Sequence, residues 1–186
     1  MEKAKEKRQH PLSDAQSKLM NALRFTEEDL QANRDGYLMK QQRSKLNGIR
    51  TSWLLCFILT LIVVPFLVAW TVIDGVRIHD TAVSRLGIIG LIWIIASGTC
   101  VYCWFKKRRL DHDLHKGNVQ VVKGTAQVKY GTMRQKGTSP YDLIIDGLTW
   151  NMGYFASSAF TNGDPYAIYY APHSKQILSA EWLREG

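Results

Sequence analysis

The chain has 186 residues, with 24 Lys and Arg against 16 Asp and Glu and a net charge of +8. Its mean hydropathy of −0.17 is that of a soluble protein, but it averages very polar flanks with two uncharged apolar runs. The basic residues crowd beside those runs and form no separate patch interleaved with aromatics, which argues against a nucleic-acid partner. The three cysteines, Cys56, Cys100 and Cys103, all lie within the runs, which argues against an oxidised extracellular framework.

In chain order, Met1–His10 (MEKAKEKRQH) is a charged start of disordered composition. Pro11 opens a helical segment in which Leu12, Ala15, Leu19, Ala22 and Leu23 recur at helical spacing. Thr26 is a good N-cap for a second helix. Asp29 takes the capping-box role, Glu27 and Glu28 make the first turn acidic, and Gly36 suits a left-handed cap at the end. A third, basic helix is expected from Tyr37 towards Arg50, with Leu38, Met39, Leu46 and Ile49 as its apolar positions. Such a segment lies on a membrane surface and then turns into the bilayer, either as a plain anchor or as a docking platform. The whole of 1–51 is too polar and short for a substantial core of its own.

Ser52–Ile73 is 22 residues without a charge, and Leu86–Phe105 is 20. A helix rises about 1.5 Å per residue, so each run can cross a hydrocarbon core of roughly 30 Å. The loop 74–85 between them forces an antiparallel pair. No cleavable signal peptide precedes the first run, which is expected to act as an uncleaved signal anchor. Pro65 implies a bend in the first helix. Gly87, Gly90, Ala96, Ser97 and Gly98 give the second small residues that let another helix approach, with Gly87, Gly90 and Ser97 as the chief packing positions and the first run as the nearest candidate. Neither run holds Asp, Glu, Lys, Arg or His, so a lone hairpin lacks the groups of an ion pathway.

Arg43, Lys45 and Arg50 flank the first run and Lys106, Lys107, Arg108 and Arg109 flank the second, while the loop balances Arg77 and Arg85 with Asp74 and Asp80. By the positive-inside rule both termini are cytoplasmic, in the plasma (inner) membrane or an organelle membrane. The four-residue basic cluster is a stop-transfer signal that also attracts anionic lipid head groups. In the juxtamembrane segment 106–116, His112 and His115 fall at i, i+3 beside Asp111 and Asp113, the one pattern with a metal-binding flavour. No further ligand spacing supports a metal, and no cofactor is implied. Cys100 and Cys103 form a CxxC inside an apolar helix, where burial makes thiols inert; acylation of Cys103 is the functional alternative.

After Lys116 the period changes. Val119, Val121 and Val122 begin a strand-like run that continues to Tyr130, and Gly131–Pro140 has loop chemistry. Tyr141–Asp146 and Leu148–Met152 flank Asp146-Gly147, a strong hairpin signal. Tyr154–Phe160 is expected to be a short helical turn, and Tyr166–Ala171 with Gln176–Ser179 a last strand pair. This predicts a small all-β SH3-like or OB-like barrel over 117–186, behind a membrane hairpin over 52–105 and a helical arm over 1–51. Tyr141, Trp150, Tyr154, Phe155, Phe160, Tyr166, Tyr169, Tyr170 and Trp182 fill and overfill so small a core, so some are expected to face a partner.

The stretches Asn21-Ala22-Leu23-Arg24-Phe25-Thr26-Glu27-Glu28-Asp29-Leu30 and Asn33-Arg34-Asp35-Gly36, with Tyr169-Tyr170-Ala171-Pro172-His173-Ser174-Lys175-Gln176-Ile177-Leu178-Ser179 near the end, resemble motifs of uncharacterised bacterial two-span membrane proteins with a cytoplasmic small β-barrel. The resemblance implies that architecture and no activity. NfeD-type membrane proteins, with a small barrel after membrane helices, are similar in architecture alone.

No GxSxG, HExxH or P-loop occurs, and Ser157 and Ser158 have no evident base. The sequence therefore points to a non-catalytic scaffold or accessory subunit of a membrane complex, its partners being the lipid bilayer and membrane proteins or further copies of itself. An oligomeric pore and a metal-dependent sensor or enzyme using His112 and His115 are the alternatives. With single cysteines placed at Thr81 and Ser174, an impermeant maleimide is expected to label the two from opposite sides of the membrane; labelling of both from one side overturns the topology.

Overall fold

The computed structural model describes residues 14–77, 82–130 and 141–183. The charged start, Pro11, Leu12, part of the loop between the apolar runs and the loop Gly131–Pro140 lie outside the described residues. The chain separates into two compact units: Lys40–Lys116, and the residues up to Met39 together with those from Gly117. The first boundary falls within the arm 1–51 expected from sequence. Residues beyond that point continue the first apolar helix, and residues before it share a core with the strands.

The Lys40–Lys116 unit is a helical hairpin, α3 (Lys40–Arg77, 38 residues) packed on α4 (Ala82–Lys116, 35 residues). The break expected between a surface-lying basic helix and the first span is absent. No proline or cap interrupts Lys40–Ser52, Gly48 stays helical, and the Thr51 and Ser52 hydroxyls donate back to the Asn47 and Gly48 carbonyls at 2.9 and 3.1 Å. At 1.5 Å per residue the helices measure about 57 and 52 Å, well beyond a bilayer core of about 30 Å, so each extends past its apolar run. Both are long and apolar enough to cross a membrane. Of their most apolar windows, 0% and 11% is buried within the protein, unlike a soluble core helix.

The seam of α4 is Ala96, Cys103 and Leu110, buried at heptad spacing. Around it Cys103 lies beside Cys56 of α3, Trp53 meets Tyr102 edge-on at 5.6 Å, and Arg50 pairs with Asp111 at 2.8 Å. Of the small residues expected to admit a helix, Ala96 lies in this contact, whereas Gly87, Gly90, Ser97 and Gly98 are exposed. A Cβ built on Gly87 or Gly90 would meet nothing within 4 Å, and the Ser97 hydroxyl turns back to the Ile94 carbonyl. Ser97 stands about 100° round the helix from Ala96, so only one of the two can face α3.

The other unit has α1 (Asp14–Leu23), α2 (Glu27–Arg34), α5 (Tyr154–Ser157) and six strands: β1 (Gln120–Thr125), β2 (Gln127–Tyr130), β3 (Tyr141–Ile145), β4 (Leu148–Met152), β5 (Pro165–Tyr170) and β6 (Ile177–Trp182). The strands form two antiparallel three-stranded sheets, ordered β1-β5-β6 and β2-β3-β4. The expected closed barrel is not formed. Only Ala126 separates β1 from β2, and it is buried. Its N–H donates to the Asp164 carbonyl and its own carbonyl accepts from Gly163 N–H, both at 2.9 Å, so the strand leaves one sheet and enters the other there. Gly124 admits the close approach this corner needs, since a Cβ on it would stand 3.2 Å from Ile145 Cγ2. Asp146 and Gly147, at φ +48° and +75°, make the tight β3–β4 turn.

The helical arm packs on the outer strand of the first sheet. The capping box forms as the sequence predicts, with Asp29 N–H donating to Thr26 Oγ1 and Thr26 N–H to Asp29 Oδ2, and Gly36 takes a left-handed φ of +85°. Leu19, Phe25 and Leu30 join Leu143, Ile145, Trp150, Tyr166 and Ile168 in one core. Gln16, which helical periodicity assigns no role, is buried. Its amide donates to the Ala180 carbonyl and accepts from Trp182 N–H, at 3.0 and 3.1 Å, filling the edge of β6 that barrel closure would use. Asn33 Nδ2 donates to Ser179 Oγ at 2.7 Å with both residues buried. Removing Asn33 leaves a buried hydroxyl without its donor, which costs about 1–3 kcal/mol. Asn33→Ala is expected to lower the unfolding free energy of this unit by about that amount in chemical denaturation, and Asn33→Ala/Ser179→Ala by less than the sum of the single changes.

Candidate functional site

Two arrangements in the α/β unit bring chemically able side chains together. The first is a groove between α1 and α5. Helix α1 stops at Arg24, whose φ of +56° is left-handed, and Phe25 N–H closes the end on the Met20 carbonyl at 3.2 Å. On the other wall, α5 is a single turn started at Gly153, whose carbonyl accepts from Ser157 N–H. Lys18, Asn21 and Arg24 face Phe155 and Ser158 across a cavity of about 630 Å³. Phe155 is 82% exposed, and Tyr154 stands between it and Tyr141 with ring centres 5.9 and 5.7 Å away, so three aromatics run in a row to the groove. The lining carries two cations and no carboxylate. Such a cleft suits an acidic segment with an apolar anchor, and beside it the Ser157 and Ser158 hydroxyls donate to the carbonyls of Tyr154 and Phe155.

The second is a charged cluster where α2 meets β6. Arg34 grips Glu181 with two guanidinium nitrogens, and the Tyr169 hydroxyl donates to Glu181 Oε2 at 3.2 Å. The hydrogen bond and charge of Glu181 hold the Arg34 guanidinium above its ordinary value against the opposing effect of burial. Burial first, and then the Glu181 charge, push the Tyr169 phenol above 10. With Asn33–Ser179 and Gln16 on the same strand, this cluster is a clasp. It joins residues of the Asn33–Gly36 stretch to residues in and just beyond the Tyr169–Ser179 stretch.

The residues singled out from sequence are dispersed. His112 and His115 are both exposed on α4, while Asp113 is buried and Asp111 is held by Arg50 and by Lys107 at 3.2 Å. Among the described residues no three His, Cys, Asp or Glu side chains are grouped to hold a metal. Cys103, the acylation candidate, is 1% exposed in the hairpin seam, where an acyl donor reaches it only if α3 and α4 part. The basic cluster is divided: Lys107 pairs with Asp111, Arg108 covers the Trp104 ring at 5.3 Å, Lys106 covers the Tyr102 ring at 5.6 Å, and Arg109 points outward. The groove and the clasp escape sequence reasoning because each draws on both ends of the chain. Gln16 and Asn33, which bind β6, each stand among several polar residues of their helices, so nothing local sets them apart.

The chain matches no protein-family model, no curated protein and no solved structure.

Because the folded unit holds the Tyr169 proton more tightly than the unfolded chain, the contribution of this phenol is complete below about pH 10 and is lost as pH rises through its folded value. Unfolding measured between about pH 8 and 11 is expected to show wild-type stability falling at the alkaline end, with a shallower fall in Tyr169→Phe.

Proposed function

We propose that this protein is a non-catalytic scaffold or accessory subunit of a membrane complex, in which the α3–α4 hairpin is inserted in the bilayer and the α/β unit presents the α1–α5 groove to a partner protein. The groove carries the reading: a nearly bare phenylalanine beside two cations in a concave site is surface that a monomer gains nothing by leaving open. Its occupant is an acidic segment bearing an aromatic or aliphatic anchor. The membrane part rests on the uncharged runs and on apolar helix surface that the protein leaves uncovered. Because residues before α3 and after α4 build one folded unit, they must share one side of any bilayer the hairpin crosses. The juxtamembrane charges support the cytoplasm as that side.

A second reading, an oligomeric pore assembled from several hairpins, draws on the exposed Gly87, Gly90 and Ser97, which leave a face of α4 free for close helix approach. A homo-oligomer without other subunits after gentle detergent extraction would favour it.

The test of the docking reading is a photo-crosslinking amino acid at Phe155 in the full chain in its own membrane. The expected outcome is one stoichiometric protein adduct with an acidic contact segment, reduced at least about tenfold by Lys18→Glu/Arg24→Glu. Adducts with lipid alone, or a protein adduct indifferent to the charge reversal, would overturn it.

A further inference from the structure

On α4 the residues Gly98, Val101, Tyr102, Phe105, Lys106 and Arg109 form one continuous stripe at spacings of three and four, lining a groove of about 420 Å³. Its Val101 and Phe105 point away from the seam, each about 200° round the helix from Cys103 and about half exposed, while Tyr102, also about half exposed, borders the seam and meets Trp53 of α3. Gly98 deepens the inner end, since a Cβ there would meet nothing within 4 Å and would only fill the slot. The outer end carries charge. Of the four basic residues, Lys106 and Arg109 line the groove, whereas Lys107 pairs with Asp111 and Arg108, over Trp104, is not part of the lining. Among the described residues neither Lys106 nor Arg109 makes an ion pair, and Lys106 lies over the Tyr102 ring.

From Gly98 to Arg109 the helix rises about 16 Å, the depth of one leaflet of a hydrocarbon core of about 30 Å. The apolar wall then lies among acyl chains, and the two cations stand where the uncharged run ends at Phe105, at head-group height. We infer that this stripe of α4 is a binding site for a single anionic phospholipid, one acyl chain lying along Gly98, Val101 and Phe105 and the phosphate held by Lys106 and Arg109. The inference rests on the membrane reading of the hairpin and goes beyond it by selecting one lipid class, one face and two of the four basic residues. An uncharged slot would take any lipid; two cations with no acidic lining favour the anionic one.

The test is native mass spectrometry of the full chain in detergent, titrated with phosphatidylglycerol or with phosphatidylcholine of the same acyl chains. The expected result is one phosphatidylglycerol retained at several-fold higher occupancy than phosphatidylcholine. Lys106→Gln/Arg109→Gln abolishes that preference, and Lys107→Gln/Arg108→Gln preserves it. Gly98→Leu lowers retention of both lipids by filling the slot. Inorganic phosphate in excess leaves phosphatidylglycerol bound if the acyl slot contributes, and displaces it if the cations act alone, which would overturn the site as drawn. Equal retention of the two lipids, or an equal loss in both double variants, would also overturn it. A chain released from membranes by alkaline carbonate would instead defeat the membrane reading itself, so the two failures are distinguishable.

Discussion

A strand at the edge of a sheet offers unpaired N–H and C=O groups that must be met by something. In this protein the edge is β6, and what meets it is the helical arm from the other end of the chain. The Gln16 side-chain amide bonds the Ala180 carbonyl and the Trp182 N–H as a neighbouring strand would. Asn33 and Arg34 add side-chain bonds to Ser179 and Glu181 two residues apart on the same strand. The arm in turn buries Leu19, Phe25 and Leu30 in a core shared with the strands. Each part supplies what the other lacks: apolar cover for the helices and polar closure for the sheet. The same contact explains why the sheets stay open as two layers of three strands.

This mutual dependence gives the hairpin an unusual status. Residues 40–116 are inserted between two stretches that must find each other, so the fold is complete only when the chain has gone out along α3 and returned along α4. An antiparallel helix pair returns the chain to the level where it left, and the α3–α4 seam is built for that pairing. Ala96, Cys103 and Leu110 are buried along it, and Arg50–Asp111 fixes the register where the helices pass beyond their uncharged runs. That ion pair is over a third exposed on both sides, so it contributes alignment more than stability.

The two faces of α4 divide the labour. One carries the seam. The other carries an apolar slot ending in Lys106 and Arg109, with the aromatic rings of Tyr102 and Trp104 steadying the adjacent cations. In the α/β unit the α1–α5 groove repeats the pairing of aromatic and basic side chains at a different place. Both grooves lack acidic lining residues, while the carboxylates of Asp111, Asp29 and Glu181 are engaged elsewhere within the protein.

The sequence by itself determined the elements whose causes are local. Two uncharged runs make two long helices, Thr26 and Asp29 make a capping box, Gly36 ends α2, and Asp146-Gly147 turns β3 into β4, because each depends on residues a few positions apart. Tertiary structure decided the rest. That the arm belongs to the strands, that the barrel stays open, that α3 meets Ala96 rather than Ser97, and that only two of four basic residues face a groove all depend on which surfaces meet across the chain. Gln16 and Asn33 show the reason most plainly. Each is one polar residue among several on its helix when read locally, and each becomes a buried hydrogen-bonding residue only when a strand more than 140 residues away comes to lie beside it.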